Sequence, residues 1–226
     1  MSSRPPADRT PYAQPSEKKM SHPVPKTLYR IAAAAGLGSA TVLLINAAKR
    51  AELIPTSPFT QLVAPIAEIL ALALITALYL AYWRRTGTFG LIAYLLNAFA
   101  LSALVGVEFV INLVFHDLPA ETIQQLRAGP LGVALTVASV AFLLGTLGFA
   151  TAMLRSRLVP VAPLVLYAVG AIPISLRAFA PEAVLDLGLV VLAAGTGWLA
   201  IWLATRSSRL TATTTVPAVQ PQHVAV

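Results

Sequence analysis

The sequence predicts an all-α polytopic membrane protein, a bundle of six transmembrane helices with both termini in the cytoplasm. Three observations lead there. Of 226 residues, 57% are apolar and only 11% are charged, whereas a soluble domain carries about a quarter charged residues. The apolar residues gather into six long runs bounded by Pro, Gly or charge. When those runs are alternated across a bilayer, the basic residues divide very unevenly between its two sides. The chain has no cysteine, which excludes disulfide frameworks, thiolate metal sites and cysteine nucleophiles together.

Residues 1–28 form a basic tail holding six of the seventeen prolines (Pro5, Pro6, Pro11, Pro15, Pro23 and Pro25), a composition expected to stay disordered. The first run, 29–48, lies too deep and is too long for a cleavable signal peptide and is expected to be retained as a span. At 1.5 Å per residue its length reaches about 30 Å, the thickness of the hydrocarbon layer. The second run, 58–83, opens with Ser57 before Pro58, an N-cap followed by a first-turn proline. Thr86 or Thr88 is expected to cap the third, 89–116. The loop 117–129 holds enough helix-forming residues for a short surface helix capped by Asp117. Gly129 and Pro130 start the fourth run, 130–154. Pro160, Pro163 and Pro173 interrupt the fifth, 158–179, and are expected to kink it. The sixth, 183–205, is followed by a tail rich in Thr, Val, Gln and Pro, 206–226, again expected to be disordered. No internal repeat is visible.

Starting from a cytoplasmic N-terminus, the inside receives Arg4, Arg9, Lys18, Lys19, Lys26, Arg30, Arg84, Arg85, Arg155, Arg157, Arg206 and Arg209. The outside receives only Lys49, Arg50, Arg127 and Arg177. Such a bias sets orientation by the positive-inside rule. Topology therefore accounts for the net charge of +7, and no nucleic-acid partner is implied. Membrane lipid is the expected partner of the basic tail, at about 1 kcal/mol per basic residue close to an anionic surface.

Two acids lie deep within the runs, Glu68 in the second and Glu108 in the third. An ionisable residue at depth is a functional-site hypothesis by default. Both lie roughly 12 to 15 Å below the outer surface at 1.5 Å per residue, so the two face each other if their helices pack side by side. Asn97, Glu108, Asn112 and His116 fall within about 100° of the wheel of the third helix, and Gln61, Pro65, Glu68 and Thr76 form a stripe on the second. Asn46 is an available polar neighbour from the first. With no Lys or Arg in the hydrocarbon region, the open states are protonated carboxyls bonded to Asn or to each other, one proton shared by the pair, or carboxylates holding a cation.

Two readings stand side by side. In one, Glu68, Glu108, Asn97 and Asn112 form a site for a small or lipid-like ligand, a cation or a proton. In the other, a non-catalytic partner or scaffold subunit uses neutral Glu and Asn to fasten helices together. No catalytic or cofactor motif is present, so no enzyme activity and no cofactor are expected. His116, Asp117 and Glu121 have metal-ligand chemistry but read as helix-end solvation, and no metal is expected. Arg177 is placed to pair with Glu182 and Asp186. Tyr79, Tyr82, Trp83, Trp198 and Trp202 read as interface anchors.

Small residues line one face of three helices: Ala134, Ala138, Ala141, Gly145, Gly148 and Ala152 on the fourth, Ala193, Gly197, Ala200 and Ala204 on the sixth, and Ala32, Gly36 and Ala40 on the first. These seams admit close backbone approach, within the monomer or between copies in an oligomer. From Leu144 to Gly170, a Gly-rich helix ends in Arg155-Ser-Arg157 and a Val159-Pro160 step enters the next helix. This stretch resembles a pattern in small multi-helix bacterial integral membrane proteins of unknown function. The resemblance implies a bacterial cell membrane and carries no catalytic residue across.

Overall fold

A computed structural model describes residues 25–212, with side chains as far as Ser208. Seven α-helices form among these residues and no strand. They are α1 (Lys26–Arg50), α2 (Pro58–Val63), α3 (Ile66–Phe109), α4 (Ala120–Ala128), α5 (Pro130–Ser156), α6 (Val161–Ser175) and α7 (Glu182–Ala212). Four helical segments, Lys26–Arg50, Pro58–Asp117, Pro130–Ser156 and Glu182–Ser208, are long and apolar enough to cross a membrane. The chain has the helices of a membrane protein.

The longest of these segments is not straight. Gly87 adopts φ 60° and ψ −160° within α3, a left-handed conformation that glycine enters without a Cβ clash. The helix doubles back there, so Tyr79 stacks on Tyr94 with ring centroids 4.3 Å apart, and the Thr76 hydroxyl lies 3.1 Å from the Tyr94 hydroxyl. The arms 66–86 and 88–109 thus form a helical hairpin. The expected Thr86 or Thr88 cap is absent: the Thr86 hydroxyl donates instead to the Trp83 carbonyl, and the glycine alone makes the turn.

Ser57 does cap α2. Its hydroxyl accepts from the Thr60 amide and the Thr60 hydroxyl accepts from the Ser57 amide, a reciprocal capping box with Pro58 in the first turn. The second run then breaks at Ala64 and Pro65 before α3 begins, because proline offers no amide for a continuous helix. Gly129 and Pro130 open α5 as the sequence indicates. The surface helix exists as α4, but Pro119 rather than Asp117 occupies its N-cap. The fifth run holds only the 15 residues of α6, about 22 Å at 1.5 Å per residue, because Pro160 fixes its start and turns occupy 176–179.

Both tail boundaries move. Helix α1 begins at Lys26, and α7 continues to Ala212, since nothing between Thr205 and Ala212 forbids a helix and Pro217 lies farther on. The expected disorder of 1–24 and 213–226 lies outside the described residues.

The helices close into a ring. Helix α1 packs on α7 and on the first arm of α3, the second arm packs on α5, and α6 fills the space between α5 and α7. Small residues set these approaches. A Cβ added to Gly36 would sit 2.8 Å from Ala200 Cβ, and one on Gly145 would sit 2.6 Å from the Asn97 Cα. Gly170 and Gly195, outside the predicted seams, bring α6 and α7 closer still: a Cβ on Gly195 would lie 2.4 Å from the Tyr167 backbone nitrogen. Ala134, by contrast, is exposed. Tyr82 and Trp202 are buried with ring centroids 5.9 Å apart, which makes them packing residues, while Trp83 and Trp198 remain about half exposed.

Candidate functional site

At one end of the ring the helices separate around a cavity of about 120 Å³. Helix α1 supplies Asn46, Lys49 and Arg50, the first arm of α3 supplies Glu68, the second arm supplies Glu108, and the segment beyond α6 supplies Arg177. The helix leading to Asn112 changes winding on the way: Val110–Val114 is a π-helix and Phe115–Asp117 a 3₁₀ turn. Such bulges occur often at functional sites. The wider winding puts Phe115 on the buried side and leaves His116 exposed, so His116 leaves the inward stripe predicted from a regular wheel.

Glu108 is well held. Its Oε1 accepts from Arg177 Nη1 at 3.3 Å, and its Oε2 accepts from Asn112 Nδ2 at 2.9 Å. The Asn112 Oδ1 in turn accepts from Lys49 Nζ at 2.6 Å. Arg177, expected to pair with Glu182 and Asp186, is therefore engaged elsewhere. Arg50 takes those two acids, with its Nε 3.1 Å from Asp186 Oδ1 and its Nη2 on Glu182 Oε2. The expectation that no base reaches the acids is also corrected. Lys49 and Arg177 begin at helix ends, and their long stems carry the charged heads inward.

Glu68 contrasts with Glu108. Its Oε2 is buried and has no hydrogen-bond partner among the described residues, and the same holds for Asn46 Oδ1. Glu68 and Glu108 line one cavity, but no hydrogen bond joins them among the described residues, and Glu108 bonds Asn112 and Arg177 instead.

Asn97 lies apart from this cluster. It is fully buried, its Nδ2 donates to the Tyr167 hydroxyl at 3.1 Å, and its Oδ1 accepts from the Thr146 hydroxyl at 3.2 Å. Three helices are thereby joined, and Asn97 is not in the cavity wall. Thr76, from the predicted stripe, instead bonds the Leu72 carbonyl and meets Tyr94. Among the described residues, no group of three or more His, Asp and Glu side chains comes together as a metal site.

Sequence reasoning found Glu68, Glu108, Asn112 and Asn46 but missed Lys49 and Arg177. The available signal was their position, since each sits at the outer end of a long apolar segment, where a long stem can reach inward toward an otherwise uncompensated acid. Comparison of the chain with protein-family models, curated proteins and solved structures finds no match.

Proposed function

We propose that the chain is a multi-pass protein of a bacterial cytoplasmic membrane that crosses six times, with both termini inside. The polar cavity then opens outward and binds a small ligand, a cation or a proton, in a binding or transport role. The crossing count draws support from the hairpin at Gly87, which divides the 60-residue segment into two arms, and from the turns after α6, which extend its passage. The orientation rests on the twelve-to-four division of basic residues.

One observation carries the functional reading: Glu68 lines the cavity, and one of its carboxyl oxygens is buried with no partner among the described residues. A structural fastener has its polar atoms paired, because a buried unpaired polar group costs about 1–3 kcal/mol. The competing scaffold reading rests on Glu108, whose two oxygens are both occupied.

The absence of cysteine permits a direct test. Single cysteines are placed at Ser139 in the cavity wall and at its exposed apolar neighbour Val140. Intact cells are then treated with a small, membrane-impermeant methanethiosulfonate. Rapid labelling at 139 but not at 140 is expected. An unreactive cysteine at 139, with Glu68→Gln and Glu108→Gln, alone and together, leaving stability and cellular phenotype unchanged, would sink the ligand-site reading.

A further inference from the structure

The cavity wall leaves two chemical needs of opposite kind unmet. Asn46 is 8% exposed, yet its Oδ1 has no donor, and Glu68 Oε2 is in the same position on a different helix. With Glu68 ionised both atoms are acceptors, so a group that satisfies them brings N–H donors or positive charge. Lys49 lies three residues after Asn46, which places the two on neighbouring positions of one α1 face. Its ammonium has three N–H bonds, and the hydrogen bond to Asn112 uses one of them. The other bases of the wall each pair with a carboxylate, Arg177 with Glu108 and Arg50 with Asp186 and Glu182, while Lys49 holds an amide oxygen. Among the described residues, the Glu68 carboxyl and the Lys49 ammonium are thus the acid and the base of the cavity wall without an ion pair.

Resting on the reading of this cavity as a ligand site, we infer that its ligand is a small zwitterion of the amino-acid class, its ammonium on Glu68 Oε2 and Asn46 Oδ1 and its carboxylate on Lys49 Nζ. A simple cation satisfies the two oxygens but also meets the Lys49 ammonium. A simple anion meets Glu68. A zwitterion matches both and adds no net charge to a site where uncompensated charge is expensive. A water molecule needs about 10–15 Å³ of such space, so the cavity of about 120 Å³ has room for a small amino acid. Leu101, Leu104 and Leu189 complete the wall and suit the aliphatic part of such a molecule.

The test uses the full chain in phosphatidylcholine nanodiscs and calorimetric titration with glycine and L-alanine, set against methylammonium and acetate as single-charge probes of similar size. Glycine or alanine is expected to bind saturably, with methylammonium and acetate weaker by about ten-fold or more, the loss of one charged hydrogen bond. Lys49→Met and Glu68→Gln are each expected to weaken zwitterion binding by a similar factor. If Lys49→Met does not fold, the ratios measured on the unmodified chain decide the matter alone. Methylammonium binding as tightly as glycine would overturn the zwitterion while leaving a cation site in place. Failure of both amino acids to bind also overturns it, and labelling of a cysteine at 139 then shows whether the ligand-site reading falls with it.

Discussion

Asn97 and Glu68 occupy the two arms of one helical hairpin, and their surroundings differ in kind. Asn97 is enclosed, with an acceptor supplied by Tyr167, a donor supplied by Thr146 and a glycine of α5 pressed against its backbone. Glu68 lies where the helices part, with one buried oxygen unpaired and a cavity beside it. Polarity at depth is common to both and separates nothing. Satisfaction separates them: the Asn97 side chain is bonded through both its nitrogen and its oxygen and joins three helices, while one Glu68 oxygen has no partner among the described residues. Glu108 stands between the two, held by protein groups on both oxygens yet lining the same cavity.

The sharpest way to break this contrast is to spoil the close approach behind Asn97. Gly145→Leu is expected to cost on the order of 3 kcal/mol or more, because even a Cβ there meets the Asn97 backbone at 2.6 Å. Loss of a monodisperse peak in detergent would register it, and a thermally unchanged variant would show that α5 does not pack as described. Next, Asn97→Leu is expected to destabilise by about 1–3 kcal/mol, leaving the Tyr167 and Thr146 hydroxyls without their buried partner.

Glu68→Met should behave oppositely, with the melting temperature held or raised, since replacing an unpaired buried polar group by an apolar one relieves a penalty. Equal losses in the two variants, read from thermal melts, would erase the distinction between fastener and site. A smaller effect is expected at Arg177→Met, on the order of 1 kcal/mol for a partly buried pair. A double-mutant cycle with Glu108→Gln measures the coupling. Arg50→Gln is expected to cost a similar amount, about 1 kcal/mol, carried by the Asp186 pair at 24% and 23% side-chain exposure, since Glu182 at 81% adds little. That loss should shrink further as salt is raised.

Much of the bundle is legible residue by residue. Ser57, Pro58, Gly129 and Pro130 mark helix starts through chemistry confined to a single turn, and the structure places α2 and α5 where they indicate. Gly36 and Gly145 pack as small-residue seams do, since closeness depends on the absence of a side chain. The site is legible only in part. Arg177 is near Glu182 in sequence but reaches Glu108 in space, while Arg50, far from both acids along the chain, takes Glu182 and Asp186. His116 follows the helical wheel until the π segment alters the winding.

What the sequence determined by itself was the helical, membrane-compatible character of the chain, most helix boundaries and the presence of acids at depth. All of these depend on transfer from water and on contacts within a turn or two. The tertiary structure decided which acid is held and which is left open. Partner choice depends on the order of helices around the ring and on how far a lysine or arginine stem bends inward from a helix end. In that geometry Arg177 and Asn112 hold Glu108, and Glu68 keeps a buried oxygen with no partner among the described residues.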